Sequence, residues 1–401
     1  MALWKKIEEA RRRVKGVILK TPIVYSDTLS RLTGKEVYLK LENLQKTGSF
    51  KIRGAYYKLS SLSPSLRKKG VVTASAGNHA QGVAMASSLL GIRSTIVMPE
   101  GTSLAKQMAT RSYGGEVLLY GQNMEEALAY AQKLEKEGKL LIHPFDDEEV
   151  IAGQGTIGLE ILDEVPGLEA MILPVGGGGL ISGVATIVKK RRPKVKIIGV
   201  QSSHAPSAFL SLKRRKIVEV RVRPTLADGI AVGRIGELTF PIIQGKVDQL
   251  VTVGEEEIAS ALLMLIERKR VIAEGAGATP LAALLSKKVE ARAKRIVLLI
   301  SGGNIDVHLL DRIIEKGLTW TGRMIRMEVL LRDVPGSLNS LTHHIAQLRA
   351  NILHIIHERA TREIPIGFSK VILVLETRGP GHIREIQKGL KEQGYSFKLL
   401  S

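Results

Sequence analysis

Lys51 stands in the run Lys46-Thr47-Gly48-Ser49-Phe50-Lys51-Ile52-Arg53-Gly54-Ala55, between a small polar loop and a helical pattern. A lysine so placed can be held with its amine aimed inward, where it can attack a carbonyl or take up a proton. Alone the position says little, since most lysines are solvated surface residues. Three further small-residue motifs follow in order: Ser75-Ala76-Gly77-Asn78-His79, Gly176-Gly177-Gly178-Gly179-Leu180 and Ser301-Gly302-Gly303-Asn304. Together the four read as a site for an aldehyde cofactor that carries a phosphate.

Each motif has its own chemistry. Consecutive glycines let main-chain N–H groups turn toward one anion without obstruction by Cβ, and a following helix terminus favours negative charge. Gly176 to Gly179 therefore suit a phosphate, and four glycines exceed what a tight turn requires. Leu180-Ile181 replace the Lys-Ser/Thr ending of a nucleotide P-loop, and no spaced dinucleotide fingerprint is present. Ser75 and the amides after it could bind a carboxylate, and Asn78 offers an amide to an aromatic oxygen. His79 reads both as an acid or base and as a first-turn histidine satisfied by nearby backbone, so it is assigned no catalytic role. Ser301 can hydrogen-bond a heteroaromatic nitrogen without imposing a charge; on its own it reads equally as a strand-end serine in a glycine turn.

The elements that must position these loops are legible from apolar periodicity. Strands are expected at 37–41, 70–73, 94–97, 116–119, 140–142, 170–175, 196–200 and 296–300, with amphipathic helices such as 124–137 and 180–190 between them. Strand, small-residue turn and helix in repetition predict an α/β protein built on parallel sheets covered on both faces. Ligands in such sheets collect in the loops beyond the carboxyl ends of the strands, and all four motifs fall in loops of that kind or at the start of a helix. Residues 316–322 read as a linker. After them, strands at 327–331, 352–359, 368–376 and 395–400 and helices at 333–349 and 382–393 spell a βαββαβ order, the ferredoxin-like arrangement.

Composition narrows the function classes. The chain has 401 residues and no cysteine, which excludes disulfides, cysteine-ligated zinc and thiol nucleophiles. No metal site is expected. A formal net charge of +20 invites a nucleic-acid-binding reading, the non-enzyme alternative. The basic runs at Arg11 to Arg13, Lys189 to Arg192, Lys213 to Lys216 and Lys287-Lys288 are scattered, and aromatics are only 4% of residues, so no nucleic-acid partner is expected. No apolar run approaches the roughly 18 residues that span a bilayer. The first residues lead into a charged helical pattern, which points to the cytoplasm rather than to a membrane.

At these motifs the chain resembles the fold-type-II pyridoxal-phosphate enzymes, and within them the threonine ammonia-lyases (threonine dehydratases), over most of residues 1–320. The resemblance implies a catalytic domain at 1–320, with a small subdomain at roughly 42–148 inserted in a large one. It implies pyridoxal 5'-phosphate as cofactor, joined to Lys51, with Phe50 against its ring. Asn78 would meet the phenolic oxygen, Gly176, Gly177, Gly178, Gly179 and Leu180 the phosphate, and Ser301 the pyridine nitrogen. The loop of Ser75, Gly77, Asn78 and His79 would receive the carboxylate of L-threonine, or of L-serine in a side reaction. Serine racemase, the alternative, needs a serine directly before the Gly-Asn-His triplet, and this chain has Ala76 there. Residues 324–401 resemble an ACT regulatory domain. That implies an amino-acid effector, isoleucine or valine, at Gly336 and Asn351, and members of the family are commonly homotetramers.

Overall fold

Short apolar segments become strands covered on both faces. In the computed structural model, which describes residues 1–290, 292–359 and 364–400, every residue of Val71–Ala74, Ser94–Met98 and Ala170–Pro174 is buried. Such runs suit strands packed on both faces, as in parallel sheets. Six strands form one sheet: β1 (Ile23–Tyr25), β2 (Glu36–Leu41), β7 (Ala170–Pro174), β8 (Lys196–Ser202), β9 (Gln249–Val253) and β10 (Arg295–Ile300), in the order β1-β2-β10-β7-β8-β9. All neighbours pair in parallel except β1 and β2. A second, wholly parallel sheet orders β5 (Glu116–Leu119), β4 (Ser94–Met98), β3 (Val71–Ala74) and β6 (Leu140–Leu141). Both sheets lie in a compact unit spanning Met1–Asp306.

Two strands escape the sequence pattern, β1 and β9, and they are the two edges of the larger sheet. An edge strand is covered less completely, so its sequence carries a weaker apolar signal. β1 is three residues long and mostly exposed, and four of the five residues of β9 are only partly covered.

The second compact unit, Val307–Ser401, opens with the helix Val307–Trp320. That helix corrects the reading of 316–322 as a linker. Gly317 and Thr319 look like loop residues, yet Ile313 and Gly317 form a buried stripe one turn apart. Four antiparallel strands follow: β11 (Met324–Arg332), β12 (Asn351–Glu358), β13 (Phe368–Glu376) and β14 (Ser396–Leu400), in the order β12-β13-β11-β14. Burial alternates along β13, the signature of a sheet with one covered face. Leu341 and Ile345 of the helix Ser337–Gln347, with Ile386 and Leu390 of Pro380–Glu392, share one core with Val371, Leu373 and Leu375. This is the expected ferredoxin-like βαββαβ arrangement.

Among the described residues, no helix is long and apolar enough to cross a membrane, and no group of three His, Cys, Asp or Glu side chains is placed to hold a metal ion.

Candidate active site

Lys51 opens the helix Lys51–Ser60, and the loop before it is held by the Ser301 loop. Ser49 bridges to Gly302, the Phe50 amide donates to the Ser301 carbonyl at 3.1 Å, and Gly303 donates to Gly48 at 2.9 Å. Asn304 Nδ2 adds a bond to the Thr47 carbonyl at 2.8 Å. Two of the four motifs are thus joined by main-chain pairing. Lys51 Nζ donates to the Pro144 carbonyl at 2.8 Å and lies 5.5 Å from the centre of the Phe50 ring.

Behind Lys51 the same helix is pinned by buried charges. The Arg53 guanidinium donates to both oxygens of Glu42 at 2.8 Å and to Glu160 at 2.7 and 2.9 Å. Lys40 joins Glu160 at 2.6 Å and donates to the Thr21 carbonyl at 2.7 Å. Arg53, Lys40 and Glu42 are all fully buried. Two cations and two anions balance, and most of their polar atoms are bonded, as burial of charge demands.

Burial pushes the Lys51 ammonium down to about 8, against the opposing pull of the Glu274 carboxylate. The amine therefore exists in part as the free base near neutrality, the form that acts as nucleophile and base. In the cofactor-free protein, amine-directed labelling of Lys51 is expected to rise with a midpoint near pH 8. Peptide mapping across pH checks this, and a midpoint at the ordinary lysine value would contradict it.

The glycine loop connects β7 to the helix Gly179–Arg191. Gly178 has φ +99°, a conformation that L side chains rarely adopt, and a Cβ on Gly177 would lie 2.3 Å from the Phe145 ring. Among the described residues, the amides of Gly176, Gly177 and Gly178 donate to no protein acceptor. Those of Gly179 and Leu180 fall in the first helical turn, which has no acceptor of its own. Unpaired donors at a helix start fit a phosphate.

Ser75 follows β3, and its hydroxyl accepts from the amides of Gly77 and Ala80 at 3.3 Å each. Asn78 opens the helix Asn78–Leu89. Its Nδ2 donates to both oxygens of Glu274 at 2.9 and 2.8 Å, while its Oδ1 accepts from Asn304 at 2.8 Å. The amide offered to an aromatic oxygen is thus engaged by Glu274. His79 is buried with Nε2 on the Ile142 carbonyl at 3.1 Å, and burial pushes it down to about 3. A neutral ring bonded to main chain matches the first-turn reading of this residue.

Two adjoining cavities bring the motifs together. Gly176 to Leu180, Phe50 and buried Ser301 line the inner one, and Ser75 to His79 line the outer one, of about 380 Å³. Lys51, Asn78 and Glu274 line both. Gly336 and Asn351 lie in the second unit. Gly336 precedes the helix Ser337–Gln347 with φ +92°, and Asn351 opens β12 with its amide on Glu376 at 3.2 Å.

Glu274 is the residue that sequence reasoning missed. Burial pushes its carboxyl up to about 7, although the Asn78 amide favours the charged form. Its signal was a lone acid in the apolar, small-residue stretch 271–285. The segment His143 to Asp147 was missed as well. It supplies the carbonyl that holds Lys51 and the ring that packs on Gly177.

An inward amine beside a glycine-lined anion cradle at the carboxyl ends of parallel strands is the anatomy of an enzyme that anchors a phosphorylated aldehyde. Residues 14–302 match the pyridoxal-phosphate dependent enzyme family, and the chain belongs to it. Its cofactor is accordingly pyridoxal phosphate. The chain is 50% identical to the L-threonine ammonia-lyase of Thermotoga maritima over the full length of both. The solved processed form of threonine deaminase isoform 2 from Solanum lycopersicum superposes with a TM-score of 0.75 at 41% identity, over 78% of this chain and 92% of that one. Maize serine racemase gives 0.74 at 35% identity, over 79% of this chain and 98% of that one.

Proposed function

We propose that the chain deaminates L-threonine to 2-oxobutanoate and ammonia by β-elimination, with L-serine to pyruvate as a side activity. The observation that carries this reading is the buried Lys51 amine, brought to about 8, in the same cleft as the unpaired glycine-loop amides. The full-length similarity to a protein named L-threonine ammonia-lyase supports it.

Pyridoxal phosphate, when bound, supplies an electron sink for the charge left at Cα. The chain's own groups do the rest. The amides of Gly176 to Leu180 would hold the phosphate, Phe50 would pack on the ring, and Asn78 would meet the phenolic oxygen by turning an amide hydrogen away from Glu274. Ser301 would face the pyridine nitrogen as a neutral partner. The loop of Ser75, Gly77, Asn78 and His79 would receive the substrate carboxylate. Lys51 as free base would take the Cα proton, a contribution worth about 10²–10⁴ in rate. The Cβ–O bond then breaks and the hydroxyl leaves as water, taking up one proton in place of the one that Lys51 removed from Cα. The released enamine takes one water back, giving the 2-oxo acid and ammonia with atoms in balance.

Ala76 separates this reading from racemisation. It lines the outer cavity, and its methyl group can neither give nor take a proton. Serine and threonine differ by one methyl group, a step that discriminates by only about 1–3 kcal/mol, so overlap is expected. The second unit would regulate the enzyme through isoleucine or valine at Gly336 and Asn351, within a homotetramer.

The test is direct. Purified protein with pyridoxal phosphate should be yellow, release 2-oxobutanoate from L-threonine and pyruvate more slowly from L-serine, and leave D-serine untouched. Fast interconversion of L- and D-serine would shift the assignment to the racemase. A preparation that stays colourless with added cofactor would sink both.

A further inference from the structure

Asp146 lies outside all four motifs, yet the glycine loop is built upon it. Its carboxylate accepts from three consecutive amides, Glu237 at 2.9 Å, Leu238 at 2.9 Å and Thr239 at 3.3 Å. These amides lead into the helix Thr239–Lys246, and that of Thr239, its first residue, has no helical acceptor. The carboxylate sits so close to the turn that a Cβ on Gly236 would lie 2.1 Å from Asp146 Oδ1. Thr239, fully buried, then donates its hydroxyl to the Gly177 carbonyl at 2.7 Å, and the Gly236 amide donates to the same oxygen at 3.2 Å.

The Gly177 carbonyl decides where the next amide points. In a trans peptide the C=O of one residue and the N–H of the next face opposite ways. Pinning the Gly177 oxygen on Thr239 and Gly236 turns the Gly178 N–H away from them, and Gly178 lines the inner cavity. Phe145, beside Asp146, packs its ring against Gly177 and lines the same cavity.

We propose that Asp146 is a positioning residue for the cofactor phosphate. It acts through Thr239 to hold the Gly177 carbonyl outward, so that the loop amides stay aimed at the phosphate. The proposal rests on the reading that Gly176 to Leu180 take the phosphate, and it extends the site to residues that never touch the cofactor.

The experiment compares two ligands that differ only at the phosphate. Full-length protein, freed of cofactor, is titrated with pyridoxal phosphate and with pyridoxal, and binding is read from absorbance. Asp146→Ala should weaken pyridoxal phosphate by about 10- to 100-fold, the range for bonds to charged groups, and Thr239→Val by about 3- to 10-fold, the range for a neutral bond. Pyridoxal, which lacks the phosphate, should be unaffected. Thr239→Ser keeps the hydroxyl and should restore wild-type binding. Thr239→Val leaves the main-chain amides in place, so it decides the matter where Asp146→Ala fails to fold. Equal weakening of both ligands, or no weakening of either, overturns the role of Asp146. A wild-type protein that binds pyridoxal as tightly as pyridoxal phosphate overturns the phosphate reading itself.

Discussion

Lys51→Ala is expected to give a colourless protein whose turnover of L-threonine is at least about 10³-fold below wild type. General-base catalysis alone accounts for about 10²–10⁴, and the covalent anchor proposed for the cofactor would be lost with the same amine. The other lysine lining the outer cavity, Lys106, sits at its exposed side with Asp228 at 3.4 Å. Lys106→Ala should therefore keep the yellow colour, which makes it the control. The fold should tolerate Lys51→Ala well. The folded state holds Lys51 near 8 and the unfolded chain near 10.5, so the unfolded state binds more protons between those values. Cofactor-free wild type should gain stability as pH rises from about 8 to about 10.5, and the variant should lack that gain. Thermal melts across this window, with absorbance spectra and assays, test all three expectations. A yellow, active Lys51→Ala protein would refute the central assignment.

Arg53→Ala is expected to carry the largest cost in stability, about 3–5 kcal/mol, because it breaks a buried ion pair from one side. Glu42 would keep its Thr21 hydroxyl partner and the nearby Lys40 charge but lose both bonds from the guanidinium. Burial pushes the Glu42 carboxyl up, yet Arg53 and Lys40 together hold it below the ordinary value. A carboxyl held low stabilises the fold above its unfolded value of about 4.3, and that contribution is lost as pH falls through the lower folded value. In the variant Glu42 can relieve its burial by taking up a proton. The deficit should therefore be greatest near pH 7 and shrink toward pH 4. Calorimetric midpoints at both pH values, with wild type alongside, measure it. Equal midpoints at pH 7 would mean that the network contributes no net stability. Since Arg53 is two residues from Lys51 on one helix, weaker cofactor retention should accompany the loss.

These charges illustrate what could and could not be seen in the chain beforehand. Lys51, Ser75, Gly176 to Leu180 and Ser301 were legible because each is local. A chemistry-bearing or conformationally permissive residue falls in a short turn between an apolar strand and a helix, and strand ends in parallel sheets converge. The βαββαβ unit was legible for a similar reason, since alternation along β11 and β13 and the helical stripes between them need only nearest neighbours in sequence. Arg53 lay inside the best motif, yet its partners Glu42 and Glu160 stand 11 and 107 residues away. Nothing in the spacing of such residues reports their pairing. Pro144 holds Lys51 through a carbonyl, a group that every residue owns, so side-chain type could give no hint of it.

The sequence by itself determined which groups the loops of this protein carry: an amine, a run of glycine amides, a small-residue turn before a helix and a neutral hydroxyl. Only the tertiary structure decided how those groups are tuned. Burial lowers Lys51 and raises Glu274, Asn78 is shared between Glu274 and Asn304, and Asp146 steadies the glycine loop through Thr239. The reason is physical. Reactivity in small-residue turns is a property of short stretches of chain, whereas desolvation and hydrogen-bond complementarity arise only when distant stretches are packed against one another.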